Sequence, residues 1–122
     1  MSYSISYRDN TARVDYTGAT TVEEILQAHT DLAESEEFYE CRNLVLDVSK
    51  CDLSGVSVAD LFEVVASDLW TSRKVKSQKV AFLVQSFVNM EKTSEFINES
   101  KVSPWEWRLF ESEDRALAWF DG

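Results

Sequence analysis

Two short segments near the start of the chain alternate between apolar and polar residues. Tyr3 to Tyr7 and Ala12 to Tyr16 follow this period of two, with turn residues Arg8 to Thr11 between them and Gly18 at the expected end of the second strand. Such alternation predicts a β-hairpin with one buried and one solvated face. The residues predicted on the buried face are Tyr3, Ile5, Tyr7, Val14 and Tyr16.

Two later segments are apolar almost throughout. Leu44 to Val48 and Val80 to Val84 contain a single polar residue, Asp47. Strands that are buried on both faces have this composition, so both segments are predicted at the centre of a sheet. Trp105 to Phe110, which follows Pro104, alternates again and is predicted to form a half-exposed last strand.

The segments between these strands carry apolar residues at helical spacing. Thr20 and Thr21 each precede a glutamate by three residues, which offers two capping boxes for a first helix ending near Ser35. Ser57 and Asp60 offer another box at the start of a second helix. The remaining helices are predicted from Phe87 to about Ser100 and from Ser112 to Phe120.

The second helix has the clearest apolar stripe in the chain. Its predicted members are Val58, Leu61, Phe62, Val65, Ala66 and Leu69. The cations that follow this helix are Arg73, Lys74, Lys76 and Lys79. Because cations are favourable at a helix carboxyl end, we interpret them as complements of the helix dipole rather than as an anion site.

The predicted order is β-β-α-β-α-β-α-β-α, which indicates a single α/β domain over residues 1–122. Strands that alternate with helices after an initial hairpin form a mixed five-stranded sheet, parallel apart from one hairpin strand. Since only the two central strands have the composition of strands buried on both sides, helices are expected mainly on one face. The partly bare face, with its aromatic residues, is a surface through which two copies can pair as a homodimer.

The net charge of −10 narrows the classes of partner. It repels phosphate backbones and anionic bilayers, so neither a nucleic acid nor a membrane is an expected partner. No apolar run approaches the roughly 18 residues of a membrane span, and no signal pattern opens the chain, so a cytoplasmic location is expected. Cys41 and Cys51 would lie about 20 Å apart along a strand, too far for a disulfide, and are expected to stay reduced.

The stretch between the first buried strand and the second helix contains the candidate site. The strand is predicted to end at Asp47, and a polar loop from Ser49 to Val56 then leads to the helix. A loop in this position is where open α/β sheets usually place their binding sites. The candidate site residues are Asp52, Ser54, Gly55 and Ser57.

Ser54 has two interpretations. An exposed hydroxyl can accept a phosphate, whose charge of about −1.5 to −2 would change a partner interface. Alternatively, Ser54 hydrogen-bonds to the loop backbone while Gly55 supplies an unusual φ, and this turn interpretation is favoured because serine and glycine so often build turns. Asp47 and Asp52 are also assigned to turn and cap roles, since two carboxylates lack the clustered oxygens that a hard cation needs.

No set of residues indicates an enzyme. His29 is the only histidine and lies at the edge of an apolar helical stripe, where a structural role is the common one. No second histidine, zinc-spaced cysteine pair or nucleophile elbow accompanies it. A hydrolase is therefore disfavoured for want of a base, and neither a metal nor another cofactor is predicted.

The order of several segments resembles the SpoIIAA-like group related to STAS domains, the anti-sigma-factor antagonists, and in particular its small stand-alone STAS/SEC14-like members. These segments are the loop LDVSKCDLSGVSVADL, the opening Tyr16 to Gly18 followed by Thr21 to Ile25, and the ending from Trp107 to Phe120. The resemblance extends over essentially the whole chain.

The resemblance implies a mixed-sheet fold without catalytic machinery. In the antagonists, a serine before a glycine in an Asp-Ser-Ser-Gly loop is phosphorylated, and this switches partner binding. By resemblance, Ser54 takes the acceptor position and Asp52 the acidic one, whereas Leu53 replaces the first serine.

Two functions follow as hypotheses. The first is a non-enzymatic module that binds a protein partner through residues 52–57 and the start of the next helix, with Ser54 as the acceptor if it is switched. The second, suggested by the SEC14-like relation, is a protein that binds a small apolar molecule or lipid between the sheet and the helices. The residues predicted to line that pocket are Phe62, Phe87, Met90 and Phe96.

Overall fold

The computed structural model describes residues 2–72 and 78–122, and the described residues form five strands and five helices. The strands are β1 (Tyr3–Arg8), β2 (Thr11–Ala19), β3 (Asn43–Asp52), β4 (Lys79–Leu83) and β5 (Glu106–Phe110). The helices are α1 (Val22–Glu34), α2 (Glu36–Glu40), α3 (Val58–Ser72), α4 (Phe87–Glu99) and α5 (Glu113–Asp121), and a 3₁₀ turn, Ser100–Val102, follows α4. The cations Arg73, Lys74 and Lys76 lie outside the described residues.

The sheet is mixed, as the order of elements predicts. β1 and β2 form an antiparallel hairpin, and β2 to β5 are parallel neighbours in chain order. At the hairpin turn, Asp9 and Asn10 both have positive φ, 49° and 65°. Two positive values are characteristic of a type I′ turn, whose twist matches that of the strands and which aspartate and asparagine favour.

Helices cover the two faces of the sheet unequally. α1, α3 and α4 pack on one face, over a core that includes Val14, Leu46 and Phe82. On the other face α5 packs over the central strands, where Ala116 belongs to a smaller cluster with Ala81. The helices therefore lie mainly on one face, and the buried hairpin face is the one that the alternation predicts.

The uncovered half of the second face is polar. It carries Ser4, Ser6, Arg13 and Asp15 from the hairpin. The hairpin aromatics, such as Tyr3, lie on the helix-covered side. The homodimer stays a prediction, but the bare sheet face at the hairpin does not carry the aromatic residues expected of its interface.

The first helix begins and ends as predicted. Thr21 is its N-cap, with the reciprocal Thr21 and Glu24 hydrogen bonds of a capping box, and the helix ends at Glu34. No pattern predicts α2, a five-residue helix whose Phe38 is buried in the core. A single buried aromatic side chain leaves no periodic signal in a sequence.

β3 is longer than predicted. It continues through Ser49 to Asp52 instead of opening into a loop after Asp47. Thr17 to Ala19 pair with Lys50 to Asp52, so β2 also continues past Gly18. The segment Ser-Lys-Cys-Asp has weak strand propensity, and pairing with β2, beyond the end of the β4 register, holds it in the sheet.

α3 is rotated relative to its predicted stripe. Leu61 is buried as predicted, but Val64 and Asp68 share the buried face, whereas Phe62 is 52% exposed. In a helix with apolar residues around most of its circumference, spacing alone does not identify the side that faces the core. The rotation leaves Val58 and Phe62 in solvent, one turn apart.

Candidate functional site

The predicted loop is a tight turn of four residues. The Val56 amide donates to the Leu53 carbonyl at 3.0 Å, which closes a β-turn directly after β3. Leu53 and Val56 are buried, whereas Ser54 and Gly55 between them are exposed. The turn therefore exposes Ser54 and Gly55 to solvent, while the buried side chains of Leu53 and Val56 anchor it in the core.

Asp52 and Ser57 have the structural roles that the sequence assigns to them. The Asp52 carboxylate accepts from the Ser54 amide at 2.9 Å, and hydrogen bonds from the backbone and side chain of Ser54 hold the pKa of Asp52 below its usual value. The Ser57 hydroxyl accepts from the Asp60 amide at 3.1 Å, and the Asp60 carboxylate accepts from the Ser57 amide at 2.9 Å. These bonds cap the start of α3 reciprocally.

A buried asparagine holds the turn from the neighbouring helix. Asn89, in the first turn of α4, donates through Nδ2 to the carbonyls of Val48 at 2.9 Å and Cys51 at 2.7 Å. Its Oδ1 accepts from the Leu53 amide at 3.0 Å. Sequence reasoning missed Asn89, because an asparagine near a helix start is common and only the fold shows that it faces β3.

Lys92 makes a second contact between α4 and the turn. Its Nζ lies 2.6 Å from the carbonyl oxygen of Val56, two residues before the start of α3. The ammonium group therefore joins α4 to the backbone at the last residue of the turn. Together, Asn89 and Lys92 fix both ends of the turn to α4.

Gly18 and Gly55 differ in backbone conformation but not in available space. Gly18 has a φ of +72°, Gly55 lies outside the left-handed region, and a Cβ would meet no atom within 4 Å at either position. The prediction of an unusual φ at Gly55 is therefore wrong.

The two glycines should respond differently to substitution by alanine. In urea unfolding, we expect Gly18→Ala to destabilise the domain by about 1–2 kcal/mol, and Gly55→Ala to be neutral or slightly stabilising. Equal losses would contradict this explanation.

Exposed apolar side chains lie near the starts of the two helices on either side of the turn in space, α3 and α4. Val58 and Phe62 in α3 are 51% and 52% exposed, and Phe87 and Val88 in α4 are 74% and 44% exposed. Both helices start at the same edge of the sheet because they follow parallel strands, and the contacts of Asn89 and Lys92 place α4 against the turn. We call this the loop–helix surface, formed by Ser54, Gly55, Val58, Phe62, Phe87 and Val88.

The prediction of a pocket lined by Phe62, Phe87, Met90 and Phe96 is mostly wrong. Phe62 and Phe87 are on the surface, and of the four only Phe96 lines the interior cavity between the sheet and α1, α3 and α4. That cavity has a volume of about 40 Å³ and entirely apolar walls, and Leu53 and Val56 form part of them. A cavity of about 150 Å³ holds a single benzene molecule, so this one is too small for a lipid chain.

His29 lies in the core as one half of a buried polar pair. Its Nδ1 is 2.5 Å from Oδ1 of Asp68, joining α1 to α3, and both side chains are 6% exposed. Burial lowers the pKa of His29, but the charge of Asp68 and the hydrogen bond to it outweigh burial and raise that pKa above 6.5. The pair is buried and joins two helices of the core, which fits the structural role predicted for His29.

The other polar groups near the sheet form ion pairs or are free thiols. Arg13 binds the carboxylates of Asp15, Asp47 and Glu113, so its guanidinium joins the hairpin to β3 and to α5. Cys41 and Cys51 are both free, and burial raises the pKa of each thiol. Within residues 2–72 and 78–122, no group of three or more His, Cys, Asp or Glu side chains could hold a metal ion.

Nearly the whole chain resembles a protein of known structure. It is the crystal structure of an uncharacterized protein of the DUF3478 family from Shewanella loihica PV-4, described as having a SpoIIAA-like fold. It is 21% identical, with 96% of this chain and 90% of that chain covered and a TM-score of 0.58. This chain has a SpoIIAA-like fold.

At this level of identity the likeness concerns the fold alone. It confirms the SpoIIAA-like fold that the resemblance implies and the mixed five-stranded sheet that the sequence predicts. No family model and no curated protein matches the sequence. None of the helices in the described ranges is long and apolar enough to span a membrane.

Proposed function

We propose that this SpoIIAA-like domain is a non-enzymatic module that binds a protein partner through the loop–helix surface. The observation that carries the proposal is the exposure of Phe62 and Phe87, at 52% and 74%, beside an ordered turn. Clustered exposed apolar residues mark interaction sites more often than scattered ones do. The turn between them is held by α4, so little conformational entropy is lost when a partner binds.

Ser54 is the proposed control point of this surface. It is exposed at the tip of the turn, between the anchors Leu53 and Val56, so a kinase can reach its hydroxyl without unfolding the core. A phosphate there would add about −1.5 to −2 charges beside Asp52, close to the apolar side chains that bind the partner. Intact mass of protein from its native host tests this step, and a mass without phosphate under all growth conditions would count against the switch.

Binding is tested by comparing two similar exposed apolar residues. Phe62→Asp removes an aromatic side chain from the proposed surface, whereas Leu117→Asp changes a residue that is 45% exposed on α5, across the sheet. We expect Phe62→Asp to reduce partner recovery at least tenfold in quantitative affinity purification from the native host, and Leu117→Asp to leave it unchanged. Both variants should keep their stability within about 0.5 kcal/mol, because neither side chain is buried. Equal recovery with both variants would refute the proposed surface.

The lipid-binding alternative has less support. The cavity of about 40 Å³ would have to expand severalfold to accept an acyl chain. Native mass spectrometry after incubation with lipid vesicles tests it directly, and a bound lipid would restore this alternative.

A further inference from the structure

The loop–helix surface has a strongly one-sided charge. Residues 52–66 and 85–95, which contain it, carry five carboxylates and a single base, Lys92. The rest of the chain carries the other 17 acids and 11 bases of the 22 and 12 in the sequence. The five acidic residues are Asp52, Asp60, Glu63, Glu91 and Glu95.

These acids flank the apolar side chains. Glu63 is adjacent to Phe62 in α3, and Glu91 follows Val88 and Phe87 by three and four residues, so all three share one side of α4. Glu63, Glu91 and Asp52 are exposed, and the lowered pKa of Asp52 keeps it ionised. The one base, Lys92, is bound to the Val56 carbonyl. The apolar centre thus has an anionic rim.

We propose that the partner surface is an apolar patch bordered by lysine or arginine side chains; this inference rests on the proposed function. A second copy of this chain fits poorly, because two anionic rims would face one another and like charges across an interface oppose association. A cationic border complements the rim, speeds association and makes it dependent on salt.

A photo-crosslinking experiment in the native host tests both the surface and the charge. Benzoylphenylalanine replaces Phe87, the most exposed aromatic of the surface, and in a control strain it replaces Tyr39, which is 38% exposed on α2. Crosslinked peptides are then sequenced. A partner site at position 87 that is apolar and bordered by Lys or Arg supports the inference. A site bordered by Asp or Glu, or a crosslink to a second copy, overturns the charge inference but leaves the docking surface in place.

The outcomes separate the two proposals. No product at position 87 above that at position 39 overturns the proposed function and the inference with it. With the crosslinked partner in hand, the variant Glu63→Lys/Glu91→Lys is expected to bind it at least tenfold more weakly at low salt, and the difference should shrink at high salt. Unchanged or tighter binding by this variant would overturn the charge inference alone.

Discussion

Asn89→Ala is expected to destabilise the domain by about 3 kcal/mol, because it removes three hydrogen bonds to the backbone at once, two of them buried. The side chain satisfies the carbonyls of Val48 and Cys51 and the amide of Leu53. Asn89 is 1% exposed, so water cannot replace these bonds without opening the junction of β3 and α4. The loss should be far larger than the few tenths of a kcal/mol typical of exposed polar substitutions.

Urea unfolding of the wild type and two variants measures this effect. Asn98→Ala is the matched control, since Asn98 lies in the same helix and is exposed. The control should shift the free energy of unfolding by less than about 0.5 kcal/mol. If Asn89→Ala lost no more than the control, the hydrogen bonds to β3 and Leu53 would have no net energetic value.

The same substitution should also weaken partner binding. Without Asn89, the turn that presents Ser54 would be held to α4 by Lys92 alone, and a partner would have to order its first half on binding. Asn89 thus acts as a positioning residue and lies beneath the proposed surface. Crosslinking yield from position 87 in an Asn89→Ala background, measured at a temperature where the variant remains folded, should fall relative to the Asn98→Ala background.

The parts of the fold that the sequence predicts are those with a clear local pattern of apolar, polar or capping residues. Alternation in Tyr3 to Tyr7 identifies the buried face of the hairpin, and the unbroken run Val80 to Val84 identifies a central strand. Thr21 and Glu24 identify the start of α1, because side chains at this spacing accept hydrogen bonds from the free backbone amides at the helix start. Each of these signals is local in the chain.

What could not be predicted depends on contacts distant in the chain. Ser49 to Asp52 become strand only because β2 lies beside them. Asp68 is buried because His29, 39 residues away, provides its partner. In the candidate site, the exposed positions Ser54 and Gly55 were predictable from turn chemistry, but the exposure of Phe62 was not, since it follows from the rotation of α3 against the sheet.

His29→Leu is expected to cost about 3–5 kcal/mol, because it leaves the buried carboxylate of Asp68 without its cationic partner. The other carboxylate oxygen of Asp68, Oδ2, is buried without a hydrogen-bond partner, so it cannot compensate for the lost contact. A loss of this size approaches the whole stability of about 5–15 kcal/mol typical of such domains. The double variant His29→Leu/Asp68→Leu should recover most of it, because two apolar side chains can replace a buried ion pair at little cost.

The same pair makes the stability of the wild type depend on pH in a predictable direction. The pKa of His29 is raised in the folded state, so the folded protein binds the imidazole proton more tightly than the unfolded chain does. Its contribution is therefore fully present below pH 6.5 and is lost as the pH rises through the folded-state pKa. Tyr16, which lies near the pair, does not titrate in this range, because burial and the charge of Asp68 raise its pKa.

Urea unfolding at pH 5.5, 6.5, 7.5 and 8.5 tests that direction. We expect the free energy of unfolding of the wild type to fall across this series, and that of the double variant to fall less, because other groups contribute equally to both proteins. The difference between the two curves isolates the pair, since each remaining titratable group is present in both. If the wild type instead became more stable relative to the double variant as the pH rose, the buried imidazole would be neutral. The ion pair would then not be the contact that joins α1 to α3.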